Sequence, residues 1–308
     1  MNVAIIGRTE ILYDTALLLK EKGYNIVLII TAKEAPEYEK KVDDFYLLSK
    51  HFNCKFFNTS KITPQVIEEI RKEVGFIDIG VSINYPTIIN QDFIDLFRLG
   101  VLNAHAGDLP RYRGNACIAW AILNGEEKVG ICIHKMQGGK LDSGPIILKD
   151  YYPININTKI TEVWQYFKVK VPLMFLESLE KLKNNPNFVL EYQDESKALR
   201  TYPLFPEDGR IIWSKSNIEI LRMINAFNKP YSGAFCFYKE NKMIIWDAEI
   251  FEDDEKYLAF PGQVSQLLDD QTIVVITGQG KIRIKEIEYG SYEGRPAKII
   301  KSIRNRLF

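Results

Sequence analysis

Asn103 and His105 stand two residues apart at the end of an apolar run, and Asp142 follows 37 residues after His105 in a turn closed by Gly144. On extended backbone, residues two apart point to the same side, so the amide and the imidazole share a face. An amide, an imidazole and a carboxylate around one crevice can direct an amine onto a carbonyl carbon. The amide donates to the developing oxyanion, the imidazole handles the proton, and the carboxylate orients and charges the imidazole. Spacing alone leaves open a packed or capping role for a histidine after a strand. His51, near a helix end, and His134, alternating within a strand as support behind the site, are read in that way.

Such residues need a scaffold, and the chain supplies an alternating pattern. Residues 2–6 form a short apolar β-rich run, a helical pattern covers 11–22, Gly23 stops it, and 25–30 gives a second strand. This β-α-β opening implies parallel strands with a right-handed crossover. Helices near 37–50, 64–73 and 91–98 alternate with strands at 55–58, 77–83 and 101–104, and further strands fit 130–135 and 145–149. The expected fold class is α/β, a doubly wound, mostly parallel, Rossmann-like sheet. The stretch 102–114 leaves the end of a central strand, where open parallel sheets bind ligands. A helix over 161–182 is expected to be kinked or split by Pro172.

Residues 1–185 form the expected catalytic domain, 186–206 a linker, and 207–308 a second domain. There, Ser216-Asn-Ile-Glu219 has the form of a capping box opening a helix to about 227. Short strands at 234–238, 242–247, 273–277 and 281–287, punctuated by Gly and Pro, predict a small, OB-like β-barrel. The first loop, Gly7-Arg8-Thr9-Glu10, has one glycine where a dinucleotide site wants G-x-G-x-x-G, which argues against a nicotinamide cofactor.

The 308 residues, 46% hydrophobic and 26% charged, suit two ordinary globular domains. Forty basic residues offset forty acidic ones, so nothing global suggests a polyanionic partner. No signal-peptide pattern opens the chain and no apolar stretch reaches membrane-spanning length, so the expectation is a cytoplasmic protein with no membrane partner. Cys54, Cys117, Cys132 and Cys236 have no paired spacing and read as reduced thiols; no metal site is expected.

The residues also resemble a family. Asn103-x-His105, Leu109-Pro110, Arg113-Gly114, Trp120, Asn124-Gly-Glu126, Gly130-x-x-x-His134-x-Met136 and Leu141-Asp142-Ser-Gly144 look like the 10-formyltetrahydrofolate-dependent formyltransferases. Farther on, Glu207-Asp-Gly-Arg-Ile-Ile-Trp213, Tyr231-Ser-Gly-Ala-Phe235, Pro261-Gly262-x-Val264 and Thr277-Gly-x-Gly280 resemble the C-terminal barrel of methionyl-tRNA and aminosugar formyltransferases. The resemblance implies a catalytic set of Asn103 holding the formyl oxygen, His105 as general base and acid, and Asp142 raising the His105 pKa. It implies 10-formyltetrahydrofolate as co-substrate, contacted by Thr87, Ile88 and Ile89, by Asn115, and by the backbone of Gln137, Gly138, Gly139, Lys140 and Leu141. Asn115 replaces a basic residue of some relatives, and one more residue separates Met136 from Asp142 than in aminosugar relatives.

For the acceptor, the resemblance leaves a choice. Trp120 and the Gly130-x-x-x-His134-x-Met136 pattern look more like enzymes acting on nucleotide-linked amino sugars in surface-glycan synthesis, and the fully retained C-terminal barrel resembles those of the pseudaminic-acid type that act on UDP-4-amino sugars. The tRNA enzymes carry a basic insertion after the second strand, where this chain has the mixed, slightly acidic stretch 31–44. No nucleic-acid partner is therefore expected, although Lys298, Lys301, Arg304 and Arg306 form a basic cluster, read as a solvated terminal helix. The alternatives are a methionyl-tRNA formyltransferase, a formyltetrahydrofolate hydrolase and a non-catalytic folate or nucleotide sensor. Arg8, Thr9 and Tyr85 are either acceptor contacts or capping and packing residues; the barrel serves dimerisation, as in a homodimer, or acceptor binding.

Overall fold

The computed structural model describes Met1–Phe308. In chain order the elements are β1 (Asn2–Gly7), α1 (Glu10–Glu21), β2 (Asn25–Thr31), α2 (Val42–Phe52), β3 (Lys55–Asn58), α3 (Pro64–Glu73), β4 (Ile79–Ile83), α4 (Gln91–Ile94), β5 (Val101–His105) and β6 (Arg113–Gly114). They continue with α5 (Cys117–Asn124), β7 (Lys128–Lys135), β8 (Ile146–Pro153), α6 (Ile160–Asn184), β9 (Arg200–Thr201) and α7 (Asn217–Ala226). The last strands are β10 (Ala234–Tyr238), β11 (Asn241–Phe251), β12 (Val264–Leu267), β13 (Ile273–Ile276), β14 (Lys281–Tyr289) and β15 (Tyr292–Gly294).

Two compact units result. The first comprises Met1–Cys117, Val129–Tyr152 and Trp164–Thr201; the second comprises Ile118–Lys128, Pro153–Val163 and Tyr202–Phe308. This division differs from the contiguous one expected. Two excursions from the expected catalytic domain belong to the second unit, and most of the expected linker belongs to the first.

The first unit is built on a seven-stranded sheet of order β3-β2-β1-β4-β5-β7-β8. β1, β2, β3, β4 and β5 pair in parallel, as the β-α-β reading predicts, whereas β7 runs antiparallel to β5. The parallel strands are apolar on both faces because helices cover both: β1 from Val3 to Gly7 and all of β4 are buried. Gly7 has φ 126°, and a Cβ there would collide with the Ile83 carbonyl oxygen. A side chain is excluded by the close approach of β4, with no need of a pyrophosphate to explain the glycine.

Pro172 does not split α6, which runs unbroken for 25 residues with the proline inside. A mid-helix proline costs about 3 kcal/mol. Phe167, Val171, Met174, Phe175 and Leu179 are all buried around it, and at about 1.5–3 kcal/mol each their burial outweighs that cost.

The second unit carries an antiparallel sheet of order β10-β11-β14-β13-β12, with β15 on β14. α7 starts with the expected capping box: Glu219 N–H donates to Ser216 Oγ (3.2 Å) and Ser216 N–H to Glu219 Oε2 (3.0 Å). The basic cluster at the end is not a terminal helix. After a 3₁₀ turn at Pro296–Lys298 and a second turn at Ile303 and Arg304, the last residues pair with neighbouring segments. Phe308 N–H and C=O pair with Phe237 (2.9 and 2.7 Å), and Leu307 N–H donates to Gly262 C=O (2.8 Å). Sheet-like pairing takes the backbone groups a helix would have used.

Candidate active site

Asn103 and His105 alternate on β5, as predicted, and the sheet register sets a polar row beside them. Ile6, Ser82, Asn103 and His134 are successive cross-strand partners on β1, β4, β5 and β7. The Ser82 hydroxyl in this row is buried without a hydrogen-bond partner. Asn103 Nδ2 lies 3.2 Å from His134 Nε2, and the same ring nitrogen lies 3.5 Å from Asp142 Oδ1. That nitrogen accepts from the amide when unprotonated and donates to the carboxylate when protonated, so one proton decides which neighbour it serves.

Asp142 sits in the turn between β7 and β8 with φ 47°, left-handed for a residue that is not glycine. Gly144 closes the turn where a Cβ would strike the Lys135 carbonyl oxygen. The carboxylate faces inward: Oδ2 accepts from Gly114 N–H (3.0 Å) and lies 3.5 Å from His105 Nδ1. On the other side of the ring, His105 Nε2 donates to the Tyr112 carbonyl at 2.6 Å. Cys117 Sγ donates to the same carbonyl (3.0 Å) and lies 3.6 Å from His105 Nε2. The structure therefore brings Asn103, His105 and Asp142 together, with His134 as a fourth member.

Burial by itself would push the His105 pKa down. The Asp142 carboxylate outweighs it, Cys117 and the Tyr112 carbonyl add to the effect, and the pKa rises from 6.5 to about 10. For Asp142, burial acts to raise the pKa, but His105, His134 and the Gly114 N–H hold it well below the usual carboxylate range. At neutral pH the resting pair is imidazolium and carboxylate, with side chains 7% and 11% exposed.

Most residues expected to meet the folate also converge. Gly139 N–H donates to the Ile89 carbonyl (3.0 Å) and Gly138 N–H to Gln91 Oε1 (3.0 Å), which seats the segment 137–141 beside Thr87, Ile88 and Ile89. Ile88 is exposed while Ile89 is buried, and Thr87 Oγ1 donates to the Ser60 carbonyl (2.7 Å). Asn115 is exposed, with its backbone N–H given to Thr201 C=O at 3.3 Å. A cavity of about 500 Å³ adjoins the Asp142 turn, lined by Gln137, Lys140, Leu141 and Ser143 on one side and by Arg113, Glu195 and Arg200 on the other. No group of three or more His, Cys, Asp or Glu could hold a metal ion. No helix is long and apolar enough to cross a membrane.

Arg8, Thr9 and Tyr85 have structural partners. Arg8 donates to the Asn84 and Lys33 carbonyls (3.0 and 2.9 Å) and lies over the Tyr38 ring. Thr9 caps α1, and Tyr85 OH donates to the Thr59 carbonyl at 2.9 Å.

Sequence reasoning passed over the segment 191–201. Glu191 bridges to Ile146 on β8, and β9 pairs with β6, Arg113 against Arg200 and Gly114 against Thr201. Thr201 Oγ1 donates to Arg113 C=O (3.1 Å) and lies 3.3 Å from Cys117 Sγ. Arg113, with a side chain 11% exposed, binds Glu195 through Nη1 and Nη2, both at 2.8 Å. The sequence offered no local signal for this: the need of the Arg113 guanidinium for acceptors shows only once the fold buries it, and this polar stretch supplies them.

An α/β sheet presenting an amide, two imidazoles and a carboxylate at its strand ends defines a group-transfer enzyme, and comparison with known proteins specifies which. Residues 1–178 match the model of the formyl transferase family, and residues 203–301 match that of the formyl transferase C-terminal domain. The methionyl-tRNA formyltransferase of Ruminiclostridium cellulolyticum is 30% identical over 298 residues, covering 94% of this chain and 93% of the relative. Among solved structures, the N-formyltransferase from Helicobacter canadensis, in complex with folinic acid and dTDP-3-aminofucose, superposes with TM-score 0.68 at 18% identity, covering 92% of this chain and 98% of that one. HypX from Aquifex aeolicus, in complex with tetrahydrofolic acid, superposes with TM-score 0.64 at 16% identity over 98% of this chain, which spans about half of HypX (47%). The chain belongs to the formyl transferase family, and it is an N-formyltransferase.

Proposed function

We propose that this protein transfers a formyl group from 10-formyltetrahydrofolate to the primary amine of a nucleotide-linked amino sugar. The observation that carries the chemistry is the buried cluster of Asn103, His105 and Asp142, in which the imidazole rests protonated against the carboxylate. The acceptor amine attacks the formyl carbon, and Asn103 and the His105 imidazolium stabilise the oxygen as it becomes an oxyanion. His105 then turns the Nε2 proton, held at rest on the Tyr112 carbonyl, to the leaving N10 of the folate and recovers one from the attacking nitrogen, while Nδ1 stays towards Asp142. The amine thus loses one proton and tetrahydrofolate gains one, with Asp142 stabilising the charged ring before and after. The protonated rest state makes His105 an acid first and a base second.

Support for the sugar acceptor comes from the segment after β2. In 31–44, three lysines face five carboxylates. Tyr38 is tied to Asn84 (3.1 Å), and Glu39 forms an ion pair with Lys168. The segment is fastened down and slightly acidic, unsuited to neutralising phosphates. A second reading, methionyl-tRNA as acceptor, is favoured by the full-length relative of 30% identity.

Release of tetrahydrofolate from 10-formyltetrahydrofolate, measured with UDP- and dTDP-amino sugars, with methionyl-tRNA and with no acceptor, decides among them. Stimulation by a sugar nucleotide that gains the formyl mass is the expected outcome. Stimulation by methionyl-tRNA alone would replace the acceptor, and equal turnover without acceptor would make the protein a hydrolase.

A further inference from the structure

Gln193 lies in the stretch read from sequence as linker, yet its side chain reaches the site. Nε2 donates to the backbone carbonyls of Asp142 (2.8 Å) and Gly144 (2.7 Å). Oε1 accepts from Arg113 Nε (3.0 Å) and Nη2 (2.7 Å). Two donors and two acceptor positions are the whole capacity of a primary amide, and all are used. The two carbonyls flank the turn that carries Asp142 at φ 47°, a conformation kept only when its surroundings determine it. Arg113 is itself fixed by Glu195, and the next residue, Gly114, gives its N–H to the Asp142 carboxylate. The amide thus joins the backbone of the turn to the strand that receives its carboxylate. Glutamate could not donate to the carbonyls, asparagine is one methylene shorter, and lysine could not accept from Arg113.

We infer that Gln193 is a positioning residue for formyl transfer: it holds the Asp142 turn left-handed so that one carboxylate oxygen faces His105 and the other faces His134. It acts through Asp142 and touches no reacting atom. The inference rests on the reading of Asp142 as the partner of His105, so its test uses the titration of that pair, which needs neither folate nor acceptor.

The full chain, labelled with ¹⁵N-histidine, would be titrated by NMR as wild type, Gln193→Met, Gln193→Ala, Asp142→Asn and the double variant Gln193→Met/Asp142→Asn. In both Gln193 variants the His105 midpoint is expected to fall by about one pH unit or more, because a displaced carboxylate stabilises the imidazolium less. In the Asp142→Asn background, Gln193→Met should move it no further, since the two residues act as one unit. With whichever acceptor supports turnover, kcat should fall about tenfold or more while KM for 10-formyltetrahydrofolate stays within about threefold. An unmoved His105 midpoint in a folded Gln193→Met protein, or an equal additional shift in the Asp142→Asn background, would overturn the inference. Should Gln193→Met fail to fold, Gln193→Ala decides, since it removes the same hydrogen bonds without a bulky side chain and leaves Arg113 its Glu195 partner.

Discussion

Each unit buries a cluster of charge, and the two are finished differently. In the second unit, Lys281 on β14 has a side chain only 2% exposed. Its ammonium donates to both oxygens of Asp253 (2.8 and 2.7 Å) and to Glu255, with the Tyr257 ring 4.8 Å away. Three N–H groups meet three carboxylate oxygens, so the ammonium has no donor left to offer a ligand. In the first unit, His105 and His134 each lie 3.5 Å from the Asp142 carboxylate, on a left-handed turn. Hydroxyls nearby, Ser82 Oγ in the strand row and Ser143 Oγ at the cavity, are buried and unpartnered. Burial of charge therefore does not by itself distinguish a site from a structural clasp. Unspent hydrogen-bonding capacity beside a cavity does, because a native fold otherwise leaves few buried polar groups unsatisfied.

The sharpest way to break this comparison is His105→Ala. Turnover should fall by about 10²–10⁴-fold, the usual contribution of a positioned proton-transfer group, while circular dichroism shows the fold retained. Full activity in a folded His105→Ala protein would refute the mechanism.

A smaller effect is expected in the pH dependence of stability. The folded pKa of His105 is raised from 6.5 to about 10, so its contribution is fully present below about 6.5 and is lost as pH rises through about 10. Asp142 is depressed below 3.8, so its contribution is present above that value and is lost as pH falls towards its folded pKa. The gap in stability between wild type and His105→Ala should shrink by more than about 1.4 kcal/mol between pH 6.5 and 10, the linkage worth of one pH unit. Denaturant melts across that range would show it, and a constant gap would contradict the ion pair.

Lys281→Met should leave turnover unchanged and lower stability by about 1 kcal/mol, since its partners Asp253 and Glu255, 24% and 53% exposed, rehydrate when it is removed. A loss of rate would erase the contrast between the clusters. The smallest change is Ser216→Ala, which removes the cap of α7 and should cost about 0.5–1 kcal/mol in a melt, with catalysis intact.

Local patterns carried much of this architecture. Apolar runs marked β1 to β5, and the Ser216–Glu219 box marked the start of α7. Asn103, His105 and Asp142 stood out through a two-residue spacing and a glycine-closed turn, but spacing alone left a packed histidine open, and their roles came from the resemblance to the formyltransferases. What escaped depends on long-range pairing. β6 and β9 are two residues each, too short for any periodicity to register. His134 was read as support behind the site, but its contact with Asn103 was not legible, because only the β5–β7 register sets the two side by side. Gln193 follows Asp142 by 51 residues, and an isolated glutamine in an irregular stretch gives no sign of which backbone it will hold. At Pro172 the split that the sequence allowed does not occur, because a strong local signal yielded to the packing of α6.

The stitching of 191–201 onto β6 and the Asp142 turn bears on how this architecture can be taken apart. The formyl transferase match ends at 178, and the match to the C-terminal domain begins at 203. Gln193, Glu195, Arg200 and Thr201 fall between the two, in the interval an engineer would choose for a cut or a graft. A chimaera joined at 178 would inherit Asn103, His105 and Asp142 but would take from its donor the residues that hold them in place. The boundary between the two family matches and the boundary of the candidate site do not coincide, and a swap that respects the second must carry the stitch with the strands it fastens.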